Sequence, residues 1–222
     1  FKNASEYFDY FNSIAIRTDL TNEEKFELIH KAYEALENKG DVTVVADMKY
    51  LKPEVFVDGK FAIDWPKYYG FVKESVQPIT RENPLPEKWD RIGGIMGQNF
   101  TTIPENGIPY TYEQRAIPYL ENPSARHVGT FNNEAYFDAI DAIRNGDLEG
   151  LNKIIVNNGK EPLDNYEFNR IQIEYFNFIN NEVKVIGDID ATYGVKGIAA
   201  PWISSTTGEI LMEGGAEQIL TP

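Results

Sequence analysis

An α+β fold is predicted, with helices first, a helical insertion, and a mixed, mostly antiparallel sheet whose strands lie late in the chain. Three observations predict it. Apolar residues recur at helical spacing within the first forty positions and again from about Asn133. Seven prolines between Trp65 and Tyr119 leave room there only for short strands and ordered loops. From Asn169 onward the apolar period changes to two.

The clearest helix is TNEEKFELIHKAYEALENKG. Thr21 and Glu24 form a capping box; Phe26, Ile29, Tyr33 and Leu36 make the apolar stripe, and Gly40 stops it. His30 lies beside that stripe and reads as a packed helix histidine. SEYFDYFNSIAI reads as a shorter helix before it. DVTVVADM reads as a strand or buried segment, and Asp58-Gly59 within EVFVDGKFAIDWP as a hairpin turn. Asn133 caps a helix running to about Arg144, with Phe137, Ile140 and Ile143 on its apolar face and a second short helix after it. NRIQIEYFNFI, EVKVIGDI, GIAAPWI and EILMEGGAEQIL read as strands. The chain divides into a helical annex, or junction to a delivery region, at residues 1–60 and a main domain at 61–222, with the insertion at about 132–160.

The 222 residues suffice for one large domain with an annex. Tyr and Phe, 13 each, supply a core and leave aromatics over for a pocket. The formal net charge of −14 disfavours nucleic acid and anionic membrane surfaces as partners. A small phosphorylated ligand stays open, since a few local arginines can hold one whatever the total. No run approaches the roughly eighteen apolar residues of a membrane span. Starting at Phe1 without a signal peptide, the chain is expected to be excised from something longer.

Several kinds of chemistry are dismissed. Lacking cysteine, the chain has no disulfide, thiolate zinc site or cysteine nucleophile. Its two histidines, His30 and His127, stand at no metal-ligand spacing, so no metal is expected. DRIGGIMG is neither a dinucleotide fingerprint nor a P-loop.

Five short segments are more informative together: DWPKYYGF, LPEKWDRIGGIMGQNFT, EQRAIPY, GIAAPW and GGAEQI. In this order they resemble the tuberculosis necrotizing toxin family of NAD glycohydrolase domains, whose pattern runs W-P-x-x-x-G-F, L-P-x-x-x-x-D-R-x-G-x-x-x-G-x-[YF], R-[AS]-[LI]-P, A-P-W and G-G-x-x-Q. The similarity spans Asp64 to Pro222, roughly seven-tenths of the chain. It implies an ADP-ribosyltransferase-like sheet and hydrolysis of NAD (or NADP) to nicotinamide and ADP-ribose. NAD is then a substrate, and no cofactor is expected. It further implies a secreted effector acting in the cytoplasm of a target cell, with a cognate immunity protein that plugs the pocket.

By the same resemblance Gln218 and Arg91 are the catalytic candidates. Arg91 and Arg115 would hold the pyrophosphate, because a guanidinium fork matches phosphate oxygens. Gly93, Gly94 and Gly97 would let backbone approach the ligand. Phe100 would pack against nicotinamide or its ribose, Trp202 would shape the pocket wall, and Trp65 would anchor the start of the domain. Gln218 takes the place of the terminal glutamate of ADP-ribosyltransferases, whose S-T-S is echoed by Ser204–Thr207. A carboxamide can orient the ribose but cannot act as a general base at neutral pH, which favours water as acceptor over a protein side chain. Glu217 would face the other way along a strand. The sequence departs from the family in lacking a histidine in the strand before A-P-W, and ISSTTGEILMEGG replaces the family's G-Q-P-G-G-G run. The alternatives are an ADP-ribosyltransferase and a non-catalytic binding domain retaining the fold.

Overall fold

The computed structural model describes residues 1–37, 64–94, 97–117, 126–205 and 207–222. The strand expected in DVTVVADM and the Asp58-Gly59 hairpin lie outside the described residues. Helices α1 (Ala4–Ala15) and α2 (Asn22–Glu34) open the chain. The Thr21–Glu24 capping box is present, worth about 1 kcal/mol as such caps usually are. The stripe of α2 packs Phe26, Ile29 and Tyr33 against Tyr7, Phe11 and Ile14 of α1, giving this pair its own small core. His30 is half-buried, its Nε2 4.0 Å from Glu34.

A six-stranded sheet follows, antiparallel at every pairing, in the order β1-β5-β8-β3-β2-β4. Its strands are β1 (Gln77–Pro78), β2 (Lys88–Ile92), β3 (Asn99–Thr102), β4 (Arg126–Thr130), β5 (Val195–Ile198) and β8 (Glu217–Leu220). A separate ribbon pairs β6 (Trp202–Ile203) with β7 (Ile210–Met212). In the proline-rich stretch the one α-helix among the described residues is the four-residue α3 (Tyr112–Arg115). No helix among the described residues is long and apolar enough to cross a membrane.

The helical insertion is larger than expected: α4 (Asn133–Asn145), α5 (Leu148–Asn157) and α6 (Asn165–Asn177). Helix α6 overturns the strand reading of NRIQIEYFNFI. Ile171, Ile173 and Tyr175 fit a period of two, but Phe168 and Tyr175, seven apart, are the buried pair, and Asp164 and Glu167 form a capping box. Segment EVKVIGDI is likewise no strand. Phe178–Glu182 widens into a π-helical turn and Val183–Val185 tightens into a 3₁₀ turn, burying Val183 and Ile186 against Phe71, Val195 and Leu220.

Alternation along the strands sorts the sheet into two faces. One carries Ile219 and Phe100, packed with Ile79, Leu85 and Phe137 of α4. The other carries Asp90, Thr101 and Gln218, which the register sets side by side on β2, β3 and β8.

Candidate functional site

Over this second face lies a cavity of about 610 Å³, within the usual size of small-molecule sites. Gln218, Thr101 and Ile92 form part of its floor, α3 and Ala116 one wall, Trp202 and the strap Trp65–Gly70 another. Lys67, Arg91 and Arg115 border it, and among the described residues no carboxylate does. In a chain with 35 acidic and 21 basic residues that segregation is selective. A basic lining with low-dielectric walls concentrates field lines and attracts anions.

Arg115 is 4% exposed, and its guanidinium is held on two sides. Nη1 and Nη2 donate to the two carboxylate oxygens of Asp90 at 2.7 Å each, and Nε donates to the Tyr110 carbonyl. Asp90 is fully buried and takes a further bond from Arg126 Nε at 2.9 Å. One carboxylate thus meets two guanidinium groups, leaving the cluster a net positive charge beneath the cavity. The fork expected for a pyrophosphate at Arg115 therefore keeps only the N–H groups that Asp90 and Tyr110 leave over. Most of its fork is committed to Asp90, and it acts first as a fixed post. Asp90 itself escaped the sequence reading, because one acid among 35 carries no signal.

Gln218 sits where that post can orient it. Its Nε2 donates to the Arg115 carbonyl at 3.3 Å, which fixes the amide plane. Among the described residues Oε1 has no hydrogen-bond partner and remains the acceptor offered to a ligand. Glu217 is exposed on the opposite side of the strand, as expected. Loop pairing holds α3 against the approach to β8, with Gly214 N donating to Glu113 O and Ala216 N to Gln114 O.

Arg91 and Phe100 border the cavity, yet alternation starts both side chains from the other face. The Phe100 ring, expected against nicotinamide, packs edge-on to Trp89 at 4.9 Å and Phe131 at 5.6 Å. Arg91 folds back on its own loop, donating from Nε to Gly94 O at 2.5 Å and from Nη1 to Asn99 O. Its Nη2 has no hydrogen-bond partner among the described residues. Gly97 is required for this fold-back, because a Cβ there would stand 1.7 Å from Nη2. The space expected to admit a phosphate at Gly97 is filled by Arg91. Gly93 needs its glycine for a φ of 113°, and Gly94 is open to solvent. None of the three glycines borders the cavity.

The strap lies within the segment DWPKYYGF, of whose residues only Trp65 was expected to have a role. Trp202 is 1% exposed and forms the expected wall. Trp65, 55% exposed, tilts over it with ring centroids 5.3 Å apart. Tyr68 (φ 55°), Tyr69 (φ 58°) and Ala116 (φ 53°) are the non-glycine residues with left-handed backbone among those described, and all three border the cavity. Each costs about 1–2 kcal/mol against a right-handed alternative, a strain that clusters at functional sites. Tyr69 Oη lies 3.5 Å from Glu182 Oε2; burial first, and then this carboxylate, raise the phenol's pKa.

His127 sits on β4 opposite Arg91, on the face away from Gln218. Among the described residues no cluster of three or more acidic, histidine or cysteine side chains could hold a metal. Comparison with protein-family models, with curated proteins and with solved structures finds no match in any of the three.

Proposed function

We propose that this chain is a toxin-type NAD glycohydrolase built on an ADP-ribosyltransferase-like sheet, hydrolysing NAD (or NADP) to nicotinamide and ADP-ribose. One observation carries the reading: an oriented carboxamide whose acceptor oxygen has no partner among the described residues, at the floor of a cleft bordered by three cations and by none of the described carboxylates, in a strongly acidic chain.

In the reaction the C1′–N1 bond of the nicotinamide riboside breaks heterolytically. Its electron pair goes to the ring nitrogen, so nicotinamide leaves neutral and needs no general acid. The ribose passes through an oxocarbenium-like state. Gln218 Oε1 accepts from the ribose 2′-hydroxyl and places carbonyl dipole near the developing positive charge. Water adds to C1′ and releases its proton to solvent. The cations at the border draw in the pyrophosphate, through Arg91 Nη2 and the N–H groups of Arg115 not used by Asp90. The chain would act as a secreted effector in the cytoplasm of a target cell, and its producer would need an immunity protein seated in the cleft.

Purified protein incubated with NAD should release equimolar nicotinamide and ADP-ribose; no consumption at micromolar protein ends this reading. Gln218→Ala should lower kcat roughly 10- to 100-fold, the loss of one transition-state hydrogen bond. With a protein acceptor present, Gln218→Glu should raise ADP-ribosyl transfer relative to hydrolysis, because a carboxylate can activate a nucleophile. A wild type that already transfers to protein favours the transferase alternative.

A further inference from the structure

The strap is an expensive way to connect Pro66 to the sheet. Three consecutive residues, Tyr68, Tyr69 and Gly70, are left-handed, and two of them are tyrosine where glycine or asparagine would adopt that backbone with less strain. The conformation is enforced from behind. Val72 N donates to Ile198 O, Ala200 N donates to Gly70 O, and the buried Phe71 bridges Ala199. Held this way, the strap presents Trp65, Tyr68 and Tyr69 at 55%, 38% and 38% exposure beside the cavity. This is aromatic surface that the core does not use.

Sheet order gives the cleft a direction. The strap hangs on β5, and β5 pairs with β8, which carries Gln218. On the far side of β8 come β3 and then β2, where Asp90 anchors Arg115 and where Arg91 begins. With strands about 4.8 Å apart, strap and β2 stand roughly 10 Å to either side of β8. The two guanidinium groups mark the anion end, and the third bordering cation, Lys67, belongs to the strap. The strap is at the other end, and one of its rings already carries a cation, Lys73 Nζ lying 5.1 Å from the Tyr68 centroid.

The geometry points to the strap Trp65–Gly70 as the subsite for a planar pyridinium ring, the nicotinamide end of the dinucleotide and not its adenine. This rests on reading the cleft as NAD-binding. Tyr69 and Trp65 are its stacking surfaces, and the strain in the strap keeps them from collapsing onto the core. Phe100, turned to the other face, has no part in it.

The test uses 1-methylnicotinamide, a pyridinium with no glycosidic bond, and AMP as separate probes, followed by quenching of tryptophan emission. Saturable quenching by 1-methylnicotinamide is expected, not displaced by AMP and weakened about tenfold or more in Tyr69→Asn, which keeps a residue tolerant of the left-handed backbone but removes the ring. Quenching that rises linearly without saturation, or that Tyr69→Asn leaves unchanged, overturns the assignment. So does the reverse pattern, in which Tyr69→Asn weakens AMP alone and the strap holds adenine. NAD turnover measured alongside separates the two readings. Saturable pyridinium binding without NAD hydrolysis retains the subsite and removes the hydrolase, while hydrolysis with an unchanged KM in Tyr69→Asn removes the subsite alone.

Discussion

The two faces of the central sheet are made by alternate residues of the same strands and have opposite characters. Toward α4, Trp89, Phe100, Phe131, Phe137 and Ile219 interlock with little polar content. One residue over, Asp90, Thr101 and Gln218 build a polar floor with a buried ion cluster beneath a cavity. Neighbours in sequence thus do different work: Asp90 fixes Arg115, while Arg91 staples a loop. Parity along the strand decides the face from which a side chain starts, and Arg91 and Phe100 border the cavity while starting from the other one.

The comparison can be broken hardest at Asp90. Asp90→Ala leaves Arg115 buried without its counter-charge and should cost about 3–5 kcal/mol in chemical denaturation. A loss near zero would mean that the cluster does not hold the cleft face together. Phe137→Ala attacks the other face and should cost about 3 kcal/mol through its cavity. The folded fraction should keep its kcat on NAD, since Phe137 reaches no part of the floor. A matching fall in kcat would show that the faces are not separable. Gly97→Ala drives a Cβ into the Arg91 guanidinium and should destabilise by about 1–3 kcal/mol. If NAD affinity then rises, Arg91 has been freed for phosphate; if it falls, the staple is what shapes the cleft. The smallest effect is expected at the strap. Tyr69→Asn relieves left-handed strain and should raise stability by up to ~1 kcal/mol, read as a small upward shift in Tm.

Much of the apolar face was legible because it repeats. The stripes of α2 and α4 are carried by spacing, and the start of α2 by its cap at Thr21; α4 is capped by Asn132, one residue before the expected Asn133, whose amide pairs instead with the Leu85 backbone. The same reasoning failed at α6, where Ile171, Ile173 and Tyr175 satisfy either period, and the deciding Asp164–Glu167 box went unweighed. The cleft was legible in part. Gln218, Arg115 and Trp202 do border one cavity, but their motifs carried no information on which face each side chain takes. Asp90 was invisible because its importance comes from burial between two guanidinium groups, a property of the fold and not of the residue. The left-handed tyrosines were equally hidden, since Tyr-Tyr-Gly carries no turn signal that would place the first two residues at positive φ.

Strand β8, last in chain order among the described strands, lies in the interior of the sheet between β5 and β3. Its pairing of Gln218 with Thr101 joins distant parts of the chain, the kind of contact that forms late and slowly. A nascent polypeptide on the ribosome therefore has a gap where the floor belongs until this segment has emerged and slotted in.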